Sequence, residues 1–263
     1  MLRVGTVPYL VARPLTEGLG RLPGVELRVA PPAELGRDLA QGRLDVALAS
    51  SILSLENPEW RLWEEGPLIA APRAVRSVLL FLRPGLCGPN KVQSLILDPN
   101  SRTGAALARI LLRDAYAAEF EERTAPPGSD PFRLGADAVQ RIGDPALEAV
   151  VDHPEWECVD LGVTWNDLTR LPFIYAGWIG SSGFDPASAA GVLLPAAERG
   201  LARREAYVDE GVRSLGLERQ FLRRYLFEDM AYRLPGAVVR ASLAEFGARH
   251  RRNLHPTTGT GIR

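Results

Sequence analysis

The residues best suited to chemistry carry hydroxyls and lie where predicted strands run into predicted helices. The first such corner holds Ser50 and Ser51, directly after an apolar strand. The second corner opens a helix and reads Ser101, Arg102, Thr103 and Gly104. Hydroxyls and free backbone N–H groups at a helix N-terminus bind anions, because they donate hydrogen bonds at the positive end of the helix dipole. Two such corners, one on each of the two lobes that the strand and helix pattern predicts, favour a ligand with two carboxylates.

Helix capping is the simpler interpretation of each corner. Serine is a common N-cap residue, and capping is the favoured role for Ser50 and Ser51 taken alone. For the second corner both interpretations stay open, since an arginine and a glycine beside two hydroxyls exceed what a cap requires. Asp144 precedes Pro145 at a third strand–helix corner, where an N-cap is again the simplest role.

Further candidates lie close to these corners in the sequence. Tyr9 follows the first strand, and Asn100 belongs to the turn that leads into Ser101. Ser77 opens an apolar strand near the predicted hinge, where an inward-facing hydroxyl is placed to touch a ligand. His153 has the pattern of a surface loop residue and is not favoured as a general base, although histidine is the usual one.

Composition excludes several classes of function. The formal net charge is −1 over 263 residues, which argues against nucleic-acid binding because such binding needs clustered cations. Lys91 is the single lysine, and no G-x-x-x-x-G-K-[ST] loop surrounds it, so P-loop nucleotide chemistry is excluded. Two cysteines and three histidines match no disulfide framework and no metal-ligand spacing. We therefore expect neither a metal nor a nucleic-acid partner.

The N-terminus predicts a cytoplasmic protein. Residues 1–5 run straight into a strand pattern, without the basic segment, apolar segment and cleavage site of a signal peptide. No apolar run approaches the roughly 18 residues that a membrane span needs. We therefore expect no membrane partner.

Short apolar segments alternate with helical patterns along the first two thirds of the chain. Strands are predicted at 2–7, 25–30, 45–49, 76–82, 92–97, 119–123, 138–142, 157–161 and 171–179. Helices are predicted at 14–22, 32–41, 105–116, 186–200, 201–215, 218–227 and 237–252, with short helices ending at 55 and 150. This alternation predicts an α/β protein with mostly parallel sheets, because parallel neighbours need crossover connections. The polar tail 253–263 is predicted to fray.

The pattern predicts two α/β lobes with a ligand cleft between them. Dense Pro and Gly residues near 83–89 mark one crossing between the lobes, and the apolar segment near 173–181 marks the other. Residues 1–83 and 181–263 then form a discontinuous first lobe with a helical C-terminal segment, and residues 84–180 form the second. Strand ends of both lobes face the cleft, where ligands of open α/β sheets bind.

At these same residues the chain resembles the chorismate dehydratases of menaquinone biosynthesis. The matching stretches are RVG at 3–5, VPYL at 7–10, RPL at 13–15, DVAL at 45–48 with Ser50, SVLL at 77–80, LDPNSRT at 97–103, IGDPAL at 142–147, DLG at 160–162, Trp165, Thr169, LPF at 171–173 and Trp178. The chain differs from the family at Val11, where the family has an asparagine that lines the active site. Valine neither donates nor accepts a hydrogen bond.

The resemblance implies a two-lobed fold like that of type II periplasmic binding proteins, used as a cytoplasmic enzyme. The implied reaction dehydrates chorismate, a dicarboxylate, to 3-[(1-carboxyvinyl)oxy]benzoate without a metal or an organic cofactor. It implies a catalytic role for Ser77. The implied substrate-binding residues are Tyr9, Val11, Ser50, Ser51, Asn100, Ser101, Arg102, Thr103, Gly104 and Asp144. The protein is expected to be a monomer or a homodimer.

Two alternatives stay open from the sequence. The chain has the features of a non-catalytic protein that binds a small dianion. It also resembles the dihydroxynaphthoate synthases of the same futalosine pathway, whose reaction requires a general base. His153 is the only candidate for that base.

Overall fold

The computed structural model describes residues 1–254, which form two β-sheets with helices packed on them. The strands are β1 Leu2–Thr6, β2 Val25–Val29, β3 Val46–Ser50, β4 Arg61–Leu62, β5 Leu68–Ala71, β6 Val78–Leu82, β7 Ser94–Leu97, β8 Glu121–Thr124, β9 Ala138–Ile142, β10 Glu157–Asp160 and β11 Phe173–Gly180. The predicted frayed tail lies outside the described residues from residue 255 onward.

Helices connect the strands and make up most of the C-terminal segment. The α-helices are α1 Pro32–Ala40, α2 Ile52–Glu56, α3 Thr103–Asp114, α4 Asp144–Asp152, α5 Leu161–Thr169, α6 Ala190–Ala202, α7 Arg204–Leu215, α8 Arg219–Arg224 and α9 Gly236–Leu254. Short 3₁₀ helices lie at Leu10–Leu15, Leu19–Arg21, Pro89–Lys91, Pro131–Arg133 and Pro186–Ala189, and a π-helical turn follows α8 at Tyr225–Asp229. No helix within residues 1–254 is both long and apolar enough to cross a bilayer.

The two sheets have the same strand order and the same strand directions. The first runs β2-β1-β3-β11-β4, with β5 also paired to β11, and the second runs β8-β7-β9-β6-β10. In each sheet three strands are parallel, and the fourth and fifth are antiparallel to their neighbours. All strands of each sheet except one therefore run in the same direction, as expected for mostly parallel sheets, and the exceptions are β11 and β6. Strands β6 and β11 are those by which the chain enters each sheet from the other one.

Strand β6 belongs to the second sheet, whereas the sequence placed it in the first lobe. It pairs with β9 and β10, so the chain leaves the first sheet between β5 and β6. The Pro- and Gly-rich segment 83–89 is an ordinary connection between β6 and β7, in which Gly85 and Gly88 have positive φ. The Pro and Gly residues of segment 83–89 therefore form a turn within the second sheet and not a crossing between the sheets. The sequence could not distinguish the two, because turns and crossings use the same residue types.

Several elements differ locally from the sequence pattern. The single helix predicted at 14–22 is two 3₁₀ helices, because Gly18 adopts a left-handed conformation between them. The helix predicted at 218–227 ends in the π-helical turn. Strands β4 and β5 and helix α5 had no predicted counterpart. The other predicted strands and helices are confirmed, with ends shifted by a few residues.

An aromatic cluster joins the C-terminal helix to the strand that returns the chain to the first sheet. Trp165, Phe173 and Phe246 are fully buried, and their rings meet edge to face at 4.9–6.3 Å between centroids. Helix α9, which carries Phe246, also reaches the second sheet's helix α3, where Arg249 pairs with Asp114 at 2.6 Å. The C-terminal helix therefore packs on elements of both sheets.

Gly200 tests the packing of the C-terminal helices on the start of the chain. A Cβ at this position in α6 would overlap the backbone carbonyl of Pro14. We expect Gly200→Ala to lower the free energy of unfolding by about 1–3 kcal/mol, because a close backbone contact cannot yield easily. Gly191→Ala in the same helix is the control, since a Cβ there meets nothing within 4 Å and raises stability by up to about 1 kcal/mol. Denaturant unfolding measures both, and equal midpoints would contradict the expectation.

Candidate functional site

A cavity lies where the strand ends of the two sheets meet. Residues from both sheets line it. The predicted site residues on its wall are Tyr9, Val11, Ser50, Ser77, Ser101, Arg102, Thr103 and Gly104. The predicted residues that are absent from its wall are Ser51, Asn100 and Asp144. The structure therefore brings most of the sequence candidates together.

Two hydroxyl groups are buried at this cavity without a hydrogen-bond partner among residues 1–254. They belong to Ser101 and Tyr175, and both residues line the cavity. Complete burial raises the pKa of Tyr175 well above its usual range, so the phenol stays neutral and can donate. Buried polar groups are nearly always satisfied, so these two hydroxyls are suited to a polar ligand. Tyr175 was missed because it lies inside an apolar strand, where an aromatic residue indicates packing.

The start of helix α3 also faces the cavity. Helix α3 has no side-chain cap, so the Ser101 and Thr103 hydroxyls are not its N-cap. Gly104 lies in the first turn, where a Cβ would come 2.7 Å from Ser101 Oγ. Glycine is therefore required at position 104 because a side chain there would collide with Ser101, and not because of the backbone conformation. The backbone N–H groups of the first turn remain available to an anion.

The two serines of the first corner have different environments. Ser50 lines the cavity, whereas Ser51 is fully buried and donates to the carbonyl of Ile174 at 2.6 Å. Neither caps helix α2. The backbone N–H of Ile52 instead donates to Thr103 Oγ1 at 3.2 Å. The cap therefore comes from the first residue of α3, the helix that follows strand β7 of the second sheet. The capping interpretation of Ser51 is thus wrong, because a residue distant in sequence occupies that place.

Arg102 and Asp144 also make contacts between elements of the two sheets. The Arg102 guanidinium donates to Glu56 Oε2 at 2.6 Å, which joins the start of α3 to the end of α2. Both Asp144 carboxylate oxygens accept from the backbone N–H of Leu10 at 3.0 Å. Burial raises the pKa of Asp144 to about 6. Asp144 is the first residue of α4, and its N-cap position is held by Gly143, so the predicted capping role is wrong.

Asn100 is a turn residue whose backbone N–H donates to Asp98 Oδ1 at 2.9 Å. Tyr9 forms one wall of the cavity, with its ring against Gly143. Gly143 has a φ of 65°, and a Cβ there would lie 2.6 Å from Tyr9 Cδ1. Burial, with the nearby carboxylates of Asp98 and Asp144, raises the pKa of Tyr9. Val11 is buried in the adjacent wall and is purely apolar.

Ser77 lies on the cavity wall directly before β6. Its Oγ accepts a hydrogen bond from the Tyr225 hydroxyl at 2.8 Å, and its backbone carbonyl accepts from the N–H of Gly143 at 2.7 Å. Tyr225 and the cavity-lining Met230 come from the helical C-terminal segment. Sequence reasoning missed them, because nothing in that segment indicates that it reaches the cavity.

Side chains that take up protons at neutral pH do not line the cavity in the described part of the chain. Its only titratable wall residues are Arg102, Tyr9 and Tyr175. His153 lies elsewhere, stacked on Phe132 with ring centroids 3.8 Å apart. The arrangement is suited to holding and orienting an anion in a largely apolar enclosure, without a histidine or carboxylate base on its wall.

Comparisons with known proteins agree on one family. A family model described as menaquinone biosynthesis matches residues 2–251. The chain is 31% identical over 240 residues to the chorismate dehydratase of Thermus thermophilus, covering 85% of this chain and 86% of that protein. It is 29% identical over 168 residues to the chorismate dehydratase of Campylobacter jejuni, covering 64% of this chain and 58% of that protein.

Among solved structures, the chain is similar to the periplasmic aliphatic sulphonate binding protein SsuA of Escherichia coli. The TM-score is 0.62 at 15% sequence identity, over 96% of this chain and 87% of that one. At this identity the likeness shows the fold alone, and it confirms the predicted two-lobed architecture. The solved structures show that the chain has the fold of a periplasmic binding protein. Because the family model matches nearly the whole length of the chain, the protein belongs to the menaquinone-biosynthesis family.

Proposed function

We propose that this protein is a chorismate dehydratase, which converts chorismate to 3-[(1-carboxyvinyl)oxy]benzoate and water. The observation that carries the proposal is the cavity shared by both sheets, with unpaired hydroxyl groups and a free helix N-terminus on a largely apolar wall. Chorismate has one carboxylate on its ring and one on its enolpyruvyl arm. The relatives named chorismate dehydratase support this substrate.

Donors that face the cavity are assigned to the substrate carboxylates. The Ser101 hydroxyl and the backbone N–H groups at the start of α3 bind one carboxylate. Ser77, Ser50 and Tyr175, on the other walls, are placed to orient the second. Donors fixed before the substrate arrives stabilise developing negative charge without reorganising.

The dehydration removes a proton from C3 and hydroxide from C4. The C3–H bond breaks, and its electron pair is delocalised through the adjacent double bond onto the ring carboxylate. The pair then forms the third ring double bond as the C4–O bond breaks. The enolpyruvyl carboxylate takes the C3 proton and passes it to the departing hydroxide, so water is the second product and the ring becomes aromatic.

The substrate itself supplies the base in this proposal. The wall residues in the described part of the chain include no histidine or carboxylate, and the enolpyruvyl carboxylate can take the C3 proton. The ring carboxylate activates this proton, so a strong base is not required. The protein then contributes orientation, charge stabilisation and exclusion of water.

The dihydroxynaphthoate synthase alternative has little support from the site. That reaction requires a general base, and His153, its only sequence candidate, packs against Phe132 away from the cavity wall. The non-catalytic alternative makes the same cavity a binding site alone, and the turnover experiment below separates it from the dehydratase.

The two sheets are proposed as the two lobes that enclose the substrate. The first lobe would contain β1–β5, β11 and the C-terminal helices, and the second would contain β6–β10. The segments 72–77 and 161–172 connect them and are the proposed hinge. The contacts of Thr103, Arg102 and Asp144 across the cavity would then form as the lobes close. Cytoplasmic location and a monomeric or dimeric state stay predictions.

Turnover of chorismate tests the proposed function directly. We expect the purified protein to form an aromatic enolpyruvyl ether from chorismate, seen by ultraviolet absorbance and chromatography. Calorimetry on the same sample measures binding. Tight binding of chorismate without any product at high protein concentration would contradict the dehydratase and support the non-catalytic alternative.

Val11 tests the missing polar group of the cavity wall. The chorismate dehydratases have an asparagine at this position, so we expect Val11→Asn to add a hydrogen bond to the substrate. The expected result is an increase in kcat/KM of about three- to tenfold, the size of one hydrogen bond. Val11→Leu, which adds no polar atom, is the control. A Val11→Asn variant no faster than Val11→Leu would show that the polar group is not needed in this cavity.

Gly143 tests the wall formed by Tyr9. A side chain at Gly143 would push the Tyr9 ring away, so we expect Gly143→Ala to lower kcat/KM for chorismate by more than about tenfold. Gly135→Ala is the matched control, since Gly135 has a similar positive φ of 71° but open space around its Cβ position. Steady-state kinetics of the two variants separates the loss of the wall from backbone strain. Similar losses in both would count against a role for Tyr9.

A further inference from the structure

Tyr225 contacts the cavity indirectly, through Ser77. The tyrosine is fully buried, and its hydroxyl donates to Ser77 Oγ at 2.8 Å. Burial raises the pKa of Tyr225 well above its usual range, so the phenol keeps its proton. Ser77 Oγ therefore accepts a hydrogen bond from inside the protein.

That hydrogen bond determines where the Ser77 proton can point. A serine hydroxyl has one hydrogen and two lone pairs, and Tyr225 occupies one of the lone pairs. The only other bond of Ser77 Oγ within residues 1–254 is a long one, 3.3 Å, to the carbonyl of Val75. The hydroxyl hydrogen is thus held weakly, and rotation about the C–O bond can turn it toward a ligand oxygen in the cavity.

We propose that Tyr225 is a positioning residue that makes the Ser77 hydroxyl a hydrogen-bond donor to the substrate carboxylate. This inference rests on the proposed dehydratase function and names a residue outside the cavity wall that acts on it. A donated hydrogen bond also polarises the hydroxyl that accepts it, which strengthens the next bond in the chain. Negative charge that develops on the substrate would therefore be stabilised by the pair.

The backbone around both residues is held in an unusual conformation. Tyr225 begins the π-helical turn Tyr225–Asp229, a form that is rare and concentrated at functional sites. The last residue of that turn, Asp229, pairs with the Arg76 side chain. Arg76 has a φ of 57°, which is uncommon for a non-glycine residue.

The same turn therefore reaches Ser77 twice, through the hydroxyl of Tyr225 and through the residue before Ser77. The N–H of Arg76 donates to Asp160 Oδ2 at 2.8 Å, and the Ser77 carbonyl accepts from Gly143. These bonds hold Ser77 in one place on the cavity wall. The remaining freedom is the rotation of its hydroxyl, and Tyr225 is the group that restricts it.

Tyr225→Phe tests the inference, because it removes the hydroxyl and keeps the ring. The expected result is a loss in kcat for chorismate of about three- to tenfold, with KM changed less. In a Ser77→Ala background the same change is expected to have no further effect, since the acceptor is gone. Steady-state kinetics of the wild type, both single variants and the double variant gives all four values.

Tyr232→Phe is the matched control. Tyr232 lies in the same segment and is buried, but its hydroxyl forms no hydrogen bond to Ser77 or to any other group among residues 1–254. We expect wild-type kcat from this variant. Thermal unfolding confirms that each variant is folded. If Tyr225→Phe does not fold, Ser77→Ala is decisive in its place, because the inference requires that it lower kcat.

Three results would overturn the inference while the proposed function stands: wild-type kcat in Tyr225→Phe or Ser77→Ala, an equal loss in Tyr232→Phe, or a full additional loss in the Ser77→Ala background. A wild-type protein without any turnover of chorismate would overturn the proposed function, and this inference with it.

Discussion

Backbone N–H groups that follow strands of the first sheet are satisfied by side chains that follow strands of the second, and this constraint shapes the site. The N–H of Ile52 at the start of α2 needs an acceptor, and Thr103 at the start of α3 supplies one. The N–H of Leu10 needs another, and Asp144 supplies it. Buried N–H groups are almost never left unpaired, so the enclosed arrangement depends on bringing the two sheets together.

Polar groups around the cavity fall into two sets as a result. Those of Thr103, Asp144 and Arg102 are used between elements of the two sheets. The hydroxyls of Ser101 and Tyr175 have no partner within residues 1–254. The first set explains how the enclosure is held, and the second explains what it can bind. An apolar wall around a few unpaired donors is typical of a small-molecule site.

The C-terminal segment has a larger part in the site than its helical pattern indicates. Its π-helical turn delivers Tyr225 to Ser77 and Asp229 to Arg76, and Met230 then joins the cavity wall. Helix α9 packs on the returning strand through Phe246 and pairs with α3 through Arg249. A segment outside both sheets thus contacts both Ser77 and the segment 72–77 that connects the two sheets.

Local pattern was enough to predict the α/β class and most strands and helices. It also predicted the corners that carry Ser50 and Ser101 and the place of Ser77 at the start of a strand. Hydrophobic period and breaker residues act over a few residues, which is why they were sufficient. Which sheet β6 joins, what caps α2 and what Tyr225 contacts could not be predicted in this way. These depend on pairings between residues distant in sequence, and a breaker-rich turn or a buried tyrosine has the same local pattern in either arrangement. The sequence by itself therefore determined the elements and the kind of chemistry they carry. Only the tertiary structure decided which hydroxyls are used to hold the fold and which are left for a ligand, because that division depends on which distant groups the packing brings within hydrogen-bond distance.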